Sequence, residues 1–343
     1  MQQIVLITDY QNRFGTKYTA LPYRSGMDKG KLSDEFEVHG IEAVFCRAAT
    51  ALEKFHDPAG IIFLYTSSED TGDFYKSFIE DVVHVIESMN GIVIPHFLFL
   101  RAHNNKVFME LLKKGWGREI DDRLSSANFG SYEEFIEADK KYTFPVVVKR
   151  PGGFKSRGVY LARNEVKLKK LAYRISKTTN FRSDIKDYLR KFIHKGFVPE
   201  SRNRSKFLIQ QFVPGLQNDW KVLIYNEKYY VLKRMNRKDD FRASGSGLLS
   251  YPVDFPEGLL DFAGKAFTHF NVPNISLDIA YNGESFFILE AQFLYFGTYT
   301  IENAPYYFSR DNNRWSQITE KSVLEQEYVR SVVAFLQKNN LVK

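Results

Sequence analysis

The run FFILEAQFLYFG, residues 286–297, is apolar almost throughout, yet it carries Glu290 and Gln292 two positions apart. In an extended chain, residues i and i+2 share a face, so these two project together while Leu289, Ala291 and Phe293 face the other way. An ionised carboxylate is costly to bury unless it is paired or bound to a metal. Two readings follow: the polar side of an edge strand facing solvent, or a pair of oxygen ligands for a hard cation such as Mg2+. Asp278, in the strand-like run NISLDIAY (274–281), lies twelve residues before Glu290, and Asn282-Gly283 marks a hairpin turn between the two runs. Pairing of the runs would bring Asp278 close to Glu290 across the ladder. Two carboxylates and an amide oxygen suit Mg2+, which completes its shell with phosphate oxygens and water.

A second group of candidates lies in FPVVVKRPGGFKSRGVYLARN, 144–164. Lys149 ends an apolar strand, and the loop after it holds Gly152, Gly153 and Gly158 with Lys155 and Arg157 between them. Such a loop either closes backbone N–H groups on phosphate oxygens or is a plain turn. It is not a Walker A loop, because Phe154 and not glycine precedes Lys155. Further on, a strand ending in Gln210, Gln211, Phe212 and Val213 can present backbone groups to a purine edge, with Asp219 within reach of a ribose. Arg234 and Arg242 bracket a stretch ending in Ala-Ser-Gly-Ser-Gly, suited to anchoring an anion and lacking the strand–turn–helix setting of a nucleophile elbow. The seven histidines have no metal-site spacing, and the single Cys46 excludes intrachain disulfides and zinc-binding cysteine sets.

These side chains need elements to hold them. Strand-like runs at 3–7, 42–48, 60–68 and 91–97, with a 3.6-residue apolar period over 73–91 ending at Asn90-Gly91, predict an open parallel sheet. No glycine-rich dinucleotide fingerprint follows the first strand. Helices are expected at 104–117, closed by Gly115, and at 131–142, with Ser131 as N-cap. Strands and turns follow from 144, then basic helical sequence over 164–195, then strands at 206–213 and a hairpin over 220–236 turning at Asn226-Glu227. A helix over 322–340 ends the chain.

With 343 residues, 44% hydrophobic and 26% charged, the composition is that of a soluble globular protein of two or three domains. The N-terminus lacks the basic region of a signal peptide, and no apolar run approaches the length of a membrane span, so a cytoplasmic protein without a membrane partner is expected. Charge is uneven: residues 163–206 hold 14 Lys/Arg against 4 Asp/Glu, a net of +10 in a chain whose total is +7. Such a block attracts anions, or is simply a solvated helical face. Its aromatics recur at helical spacing and not in a base-stacking pattern, so nucleic acid is not the expected main partner.

In order and approximate spacing, PVVVK with its glycine-rich lid, LIQQFV, DWKVLI, DFRASGSG and LDIAY…ILEAQ resemble the ATP-grasp superfamily, particularly its RimK-like and glutathione-synthase-like ligases. The resemblance covers about residues 140–295. It implies an α/β and α+β fold: an N-terminal open parallel α/β domain over 1–103 and an ATP-grasp domain over 104–343. The latter would comprise a mobile lid at approximately 140–212 with the basic insertion 163–206, a C-terminal antiparallel-sheet subdomain over 213–320, and the terminal helix. The cofactors implied are ATP and Mg2+, two ions, with Mn2+ as a substitute. Nucleotide contacts would come from Lys106, Lys149, Lys155, Gln211, Phe212, Val213, Asp219 and Lys221, Lys106 being preferred to Lys155 as the second nucleotide lysine. Arg234, Arg242 and Ser244 match positions near the phosphates and the transferred phosphoryl group, and Asp278, Glu290 and Gln292 match metal ligands, with Glu290 bridging the ions. Three departures stand out: Gln292 replaces the usual asparagine, Gln211 the usual hinge carboxylate, and Lys221 the usual arginine, which loses bidentate contact with an anion.

The activity implied is formation of an amide from a carboxylate and an amine through an acyl phosphate, with release of ADP and phosphate. The alternatives are an ATP-binding regulator with a degenerate metal site and a small-molecule kinase. The substrates implied are small-molecule or peptide carboxylates and amines. The basic insertion is expected to receive an anionic one, such as an amino acid, an acidic peptide or a uronic-acid sugar. Oligomeric state is left unassigned.

Overall fold

The structure is a computed structural model that describes residues 2–15, 26–68, 70, 72–115, 124–153, 158–238, 240–294 and 296–342. These fall into two compact units, one drawn from 1–103 and 216–343, the other from 104–115 and 123–215.

The first unit begins with β1 (Gln2–Thr8), α1 (Lys29–Val38), β2 (Ile41–Arg47), α2 (Ala51–Lys54), β3 (Ile62–Tyr65), α3 (Phe74–Ser88), β4 (Ile92–Ile94) and α4 (Phe97–Ala102). The strands form the expected parallel sheet, in the order β2-β1-β3-β4. Ile4, Val5, Leu6 and Ile7 are all buried, as required of a parallel strand covered on both faces. α3 turns Ile79, Val82, Val83 and Ile86 inward. It ends where the Gly91 N–H donates to the Ile86 carbonyl at 2.9 Å; a Cβ on Gly91 would lie 2.5 Å from the Ile86 side chain, so only glycine closes this turn.

The second unit contains α5 (Lys106–Lys113), β5 (Ser126–Phe129), α6 (Tyr132–Glu137), β6 (Val146–Lys149), β7 (Val159–Ala162), α7 (Glu165–Ile175), α8 (Phe181–Ile193) and β8 (Phe207–Gln211). Its antiparallel sheet runs β5-β8-β6-β7. Val146, Val148, Phe207 and Ile209 pack against Leu168, Leu171 and other apolar side chains of the unit. Ser131 caps α6 with a full capping box to Glu134.

The rest of the first unit is β9 (Asn218–Tyr225), β10 (Lys228–Met235), β11 (Leu249–Ser250), α9 (Leu259–Phe270), β12 (Asn274–Tyr281), β13 (Phe286–Gln292), α10 (Tyr299–Asn303), β14 (Tyr307–Asp311), β15 (Arg314–Ile318) and α11 (Leu324–Lys338). The strands make one antiparallel sheet in the order β13-β12-β9-β10-β14-β15, with β11 on β10. Both expected hairpins form, Asn226 turning the first at φ 52°. α9, α10 and the β14–β15 hairpin are additional to the elements expected from the sequence. Val329, Val332 and Leu336 of α11 join Ile4 and Leu6 of β1 in one core.

Candidate active site

The residues singled out in the sequence fall into two groups, one on each unit. In the first unit the sheet register aligns them: Glu290 lies opposite Asp278, Asp278 opposite Lys221, and Asp219 opposite Arg234. The alignment depends on a bulge. From Tyr281–Phe286 the β12–β13 ladder runs regularly to Ile279–Ile288, then shifts so that Asp278 faces Glu290 and Leu289 is the extra residue. Without the shift Leu289 would take that place; a bulge re-aims side chains in this way.

The charges form a chain of pairs. Arg234 Nε and Nη2 donate to the two carboxylate oxygens of Asp219 at 2.6 and 2.8 Å. Nη2 also lies 2.7 Å from Asp278 Oδ2, and Lys221 Nζ donates to Asp278 Oδ1 at 3.1 Å. Burial pushes the Asp278 carboxyl up, but the Arg234 guanidinium and the Lys221 ammonium outweigh it and hold the group well below the usual carboxylate range. Burial works to lower Arg234, and its two carboxylate partners raise it above the ordinary arginine value. Burial raises Asp219 against the pull of Arg234, although accepting a hydrogen bond on each oxygen is the geometry of the ionised form. Each Asp219 oxygen keeps a further lone pair that can accept from a ribose hydroxyl, although the group is only 5% exposed.

Glu290 and Gln292 are half-buried on the adjacent strand, and Gln292 Nε2 donates to Glu290 Oε1 at 3.2 Å. Ser276, opposite Gln292 in the register, has a buried hydroxyl with no hydrogen-bond partner among the described residues. The sequence reading missed it; its signal was a serine two residues before Asp278, on the same face. Among the described residues, no cluster of three or more His, Cys, Asp or Glu side chains could hold a metal by itself. A carboxylate, an amide oxygen and an orphaned hydroxyl nevertheless fit a Mg2+ ion that arrives with phosphate and water oxygens. Asp278 joins them most readily where Lys221 or Arg234 lets go.

Arg242 is chelated by Asp240, its Nε and Nη2 donating at 2.8 and 2.7 Å; these bonds lead the effects that lower the Asp240 carboxyl. Arg237 Nη2 donates to the Gly245 carbonyl, and Ser244 is half-buried in the same loop.

In the second unit, Lys149 is buried at the end of β6, opposite Leu208 on one side and Val159 on the other. Gln211, at the end of β8, is exposed and accepts from Ser125 Oγ at 3.3 Å; Phe212 is half-buried and Val213 buried. Gln210 points inward and donates to Glu110 Oε1 at 3.2 Å, which also lies 3.3 Å from Lys113 Nζ. This buried polar network was not read from the sequence. The N-terminus of α5 is stitched to the glycine loop: the Lys106 N–H donates to the Pro151 carbonyl at 2.7 Å, Lys106 Nζ to the Gly153 carbonyl at 3.2 Å, and the Gly153 N–H to Asn104 Oδ1 at 3.2 Å. Gly158, at φ 82°, lies so close to Arg150 that a Cβ would sit 3.1 Å from its side chain. Lys155 lies outside the described residues.

No protein-family model and no curated protein matches the sequence. Solved structures do match over nearly the whole chain. D-alanine–D-alanine ligase from Bacillus anthracis superposes with a TM-score of 0.52 at 14% identity, covering 99% of this chain and 98% of its own. D-cycloserine synthetase DcsG gives 0.52 at 13% identity, with 97% and 99% covered. A RimK domain ATP-grasp protein from Sphaerobacter thermophilus gives 0.50 at 12% identity, with 98% and 99% covered. The chain has the ATP-grasp fold.

Proposed function

We propose that the protein is an ATP-dependent ligase that joins a carboxylate to an amine. The observation that carries this reading is the bulge-set row Glu290–Asp278–Lys221, with Arg234 bridging Asp219 and Asp278, on four adjacent strands of an ATP-grasp fold. A carboxylate oxygen attacks the γ-phosphorus of ATP, and the bond to the β,γ-bridging oxygen breaks to release ADP. The amine nitrogen then attacks the acyl carbon of the acyl phosphate; phosphate leaves with the bonding pair, and the amine proton passes to solvent. The difficulty is charge, since an anion must approach a polyanion.

In this reading Lys149 and Lys106 meet the phosphates, and Gln211, Phe212 and Val213 line the adenine. Arg234 neutralises the transferred phosphoryl group. Arg242, Ser244 and the backbone that follows hold the oxyanion at the acyl carbon. Glu290 and Gln292 would hold Mg2+, joined by Asp278 where Lys221 yields. When bound, Mg2+ supplies charge neutralisation at the phosphates and alignment of the reactants.

The test is release of ADP and phosphate from Mg-ATP with pooled carboxylates and amines, comparing wild type with Glu290→Ala. Release that needs both pools, and falls at least about a hundredfold in the variant, is expected. A second reading, an ATP-binding regulator, draws on the engagement of both Asp278 oxygens by cations. Mg2+-dependent ATP binding with no turnover in any pool would favour it, and no ATP binding at all would overturn both.

A further inference from the structure

The basic insertion holds two consecutive helices of similar composition and opposite placement. α7 carries Lys167, Lys169, Lys170 and Arg174 and turns Leu168, Leu171, Ala172 and Ile175 into the core, as an amphipathic helix ordinarily does. α8 has an equally clear stripe: Ile185, Tyr188, Leu189 and Phe192 follow i, i+3, i+4, i+7 spacing, with Ile193 beside them. Here the stripe faces solvent, with Tyr188 62% exposed and Phe192 and Ile193 each 72% exposed. Among the side chains of α8 that the structure describes, Asp184 and Asp187 are the least exposed, 19% each: Asp184 lies 3.7 Å from Arg202, and Asp187 pairs with Arg190 one turn on in the same helix. No other helix or strand packs broadly against α8 among the described residues. The helix thus holds its apolar side outward.

Charge says what would cover it. Arg182, Lys186 and Arg190 recur every four residues along one flank of the stripe, all exposed. The other flank holds Asp184 and Asp187 beside Lys191. A small anionic substrate would need cations converging on a hollow, whereas these are strung along a convex helix. An anionic bilayer favours cations on both flanks of a stripe, and this helix has acids on one. A second copy docked antiparallel would bring like cations together, and in either orientation it would set two segments of net charge +10 against each other. What remains is an apolar stripe with carboxylates along one side. We propose that the outward face of α8 docks an amphipathic, acidic segment of a partner protein, anchored by Tyr188, Leu189 and Phe192 and registered by Arg182, Lys186 and Arg190. This surface does not rest on the reading of the ATP site, and its test is independent of ATP turnover.

The test pans a library of random peptides of about 16 residues, long enough to span the face as a helix, against wild type and the double variant Leu189→Glu/Phe192→Glu. Wild type is expected to enrich peptides with apolar residues at i, i+3 or i+4, and i+7 and with Asp/Glu along one flank. A synthetic enriched peptide should bind at least about tenfold more weakly to the variant, and more weakly to wild type as NaCl rises from about 0.05 to about 0.3 M. Because both positions are exposed, the melting temperature should hold. If it does not, Lys186→Glu/Arg190→Glu is the second variant, and it should select against the acidic peptides. Enrichment no different from the variants, or peptides that bind wild type and variants equally, would overturn the proposal. Sedimentation with phosphatidylglycerol vesicles that the variants abolish would overturn it in favour of a membrane surface. A dimer that the variants dissociate would overturn it in favour of a second copy.

Discussion

The candidate groups of the two units are held in opposite ways. In the first, Asp219, Lys221, Arg234, Asp278 and Glu290 stand on adjacent strands, and Asp219, Lys221, Arg234 and Asp278 neutralise one another through side-chain ion pairs. In the second, Lys106 and the glycine loop are tied through backbone groups, and Gln211 sits exposed at a strand end. A strand-borne network fixes its charges in place before any ligand arrives. An incoming phosphate must therefore exchange with an existing pair, whereas a cation can first meet Glu290 and Gln292. The tie from the Lys106 N–H to the Pro151 carbonyl survives a change of the Lys106 side chain, so a substitution there should alter affinity more than stability.

The sharpest test of that contrast is Arg234→Ala. It leaves Asp219 and Asp278 buried without their shared cation, and breaking a buried pair from one side costs about 3–5 kcal/mol. Denaturant unfolding should show a midpoint lowered to match. Loss of activity with an unchanged midpoint would mean that the network is solvated, and the contrast between the units would fail.

Lys221→Ala asks whether the pairing withholds Asp278 from cations. With the ammonium gone, Asp278 Oδ1 loses its 3.1 Å partner, and a carboxylate freed beside Glu290 can take a metal. Titration with Mn2+ in the presence of a non-hydrolysable ATP analogue, read by electron paramagnetic resonance, should give one bound ion in wild type and a second in the variant. Two ions in both would show that the pair yields freely to the metal.

In the second unit, Lys106→Ala should weaken ATP binding by about tenfold, the size of one charge-assisted contact, with little change in unfolding. The loop keeps the bond from the residue-106 N–H to the Pro151 carbonyl and the one from the Gly153 N–H to Asn104 Oδ1. A large stability loss would mean that the Lys106–Gly153 bond holds the loop together, and the unit would then resemble the first.

How much of this the sequence discloses follows from the range of each signal. Local ones carried well: the apolar alternation of NISLDIAY and SFFILEAQ around Asn282-Gly283 predicts the hairpin, and Ser131 as N-cap predicts the start of α6. The nearness of Asp278 to Glu290 was legible, but the bulge at Leu289 that sets them opposite was not, because twist and packing across the sheet decide it. Nor was the Lys221–Asp278 pair, which needs β9 to lie beside β12, strands far apart in sequence. α9 has Gly264 inside it, a poor helix former, yet a Cβ there would lie 3.0 Å from the Tyr229 hydroxyl, so close packing outweighs propensity. For α8 the periodicity announces an apolar stripe; it does not say whether anything covers it.

The smallest effect expected concerns acid. Asp278 is held below its ordinary value in the folded protein, so its pairs add stability that is fully present above the unfolded carboxylate value of about 4 and is lost as pH falls below it toward the folded value. Asp278→Asn removes that contribution at every pH. Above about pH 5 the gap in unfolding midpoint between wild type and variant should therefore be constant, and below about pH 4 it should narrow. A second-unit control such as Lys106→Ala should give a flat difference, since it removes no carboxylate from the first unit's network. If the Asp278→Asn gap is also flat down to about pH 3, the carboxylate is not held by its cations in solution. Its position would then be set by the β12–β13 bulge alone, and the first unit's charges would be placed, like the second unit's, by backbone and not by each other.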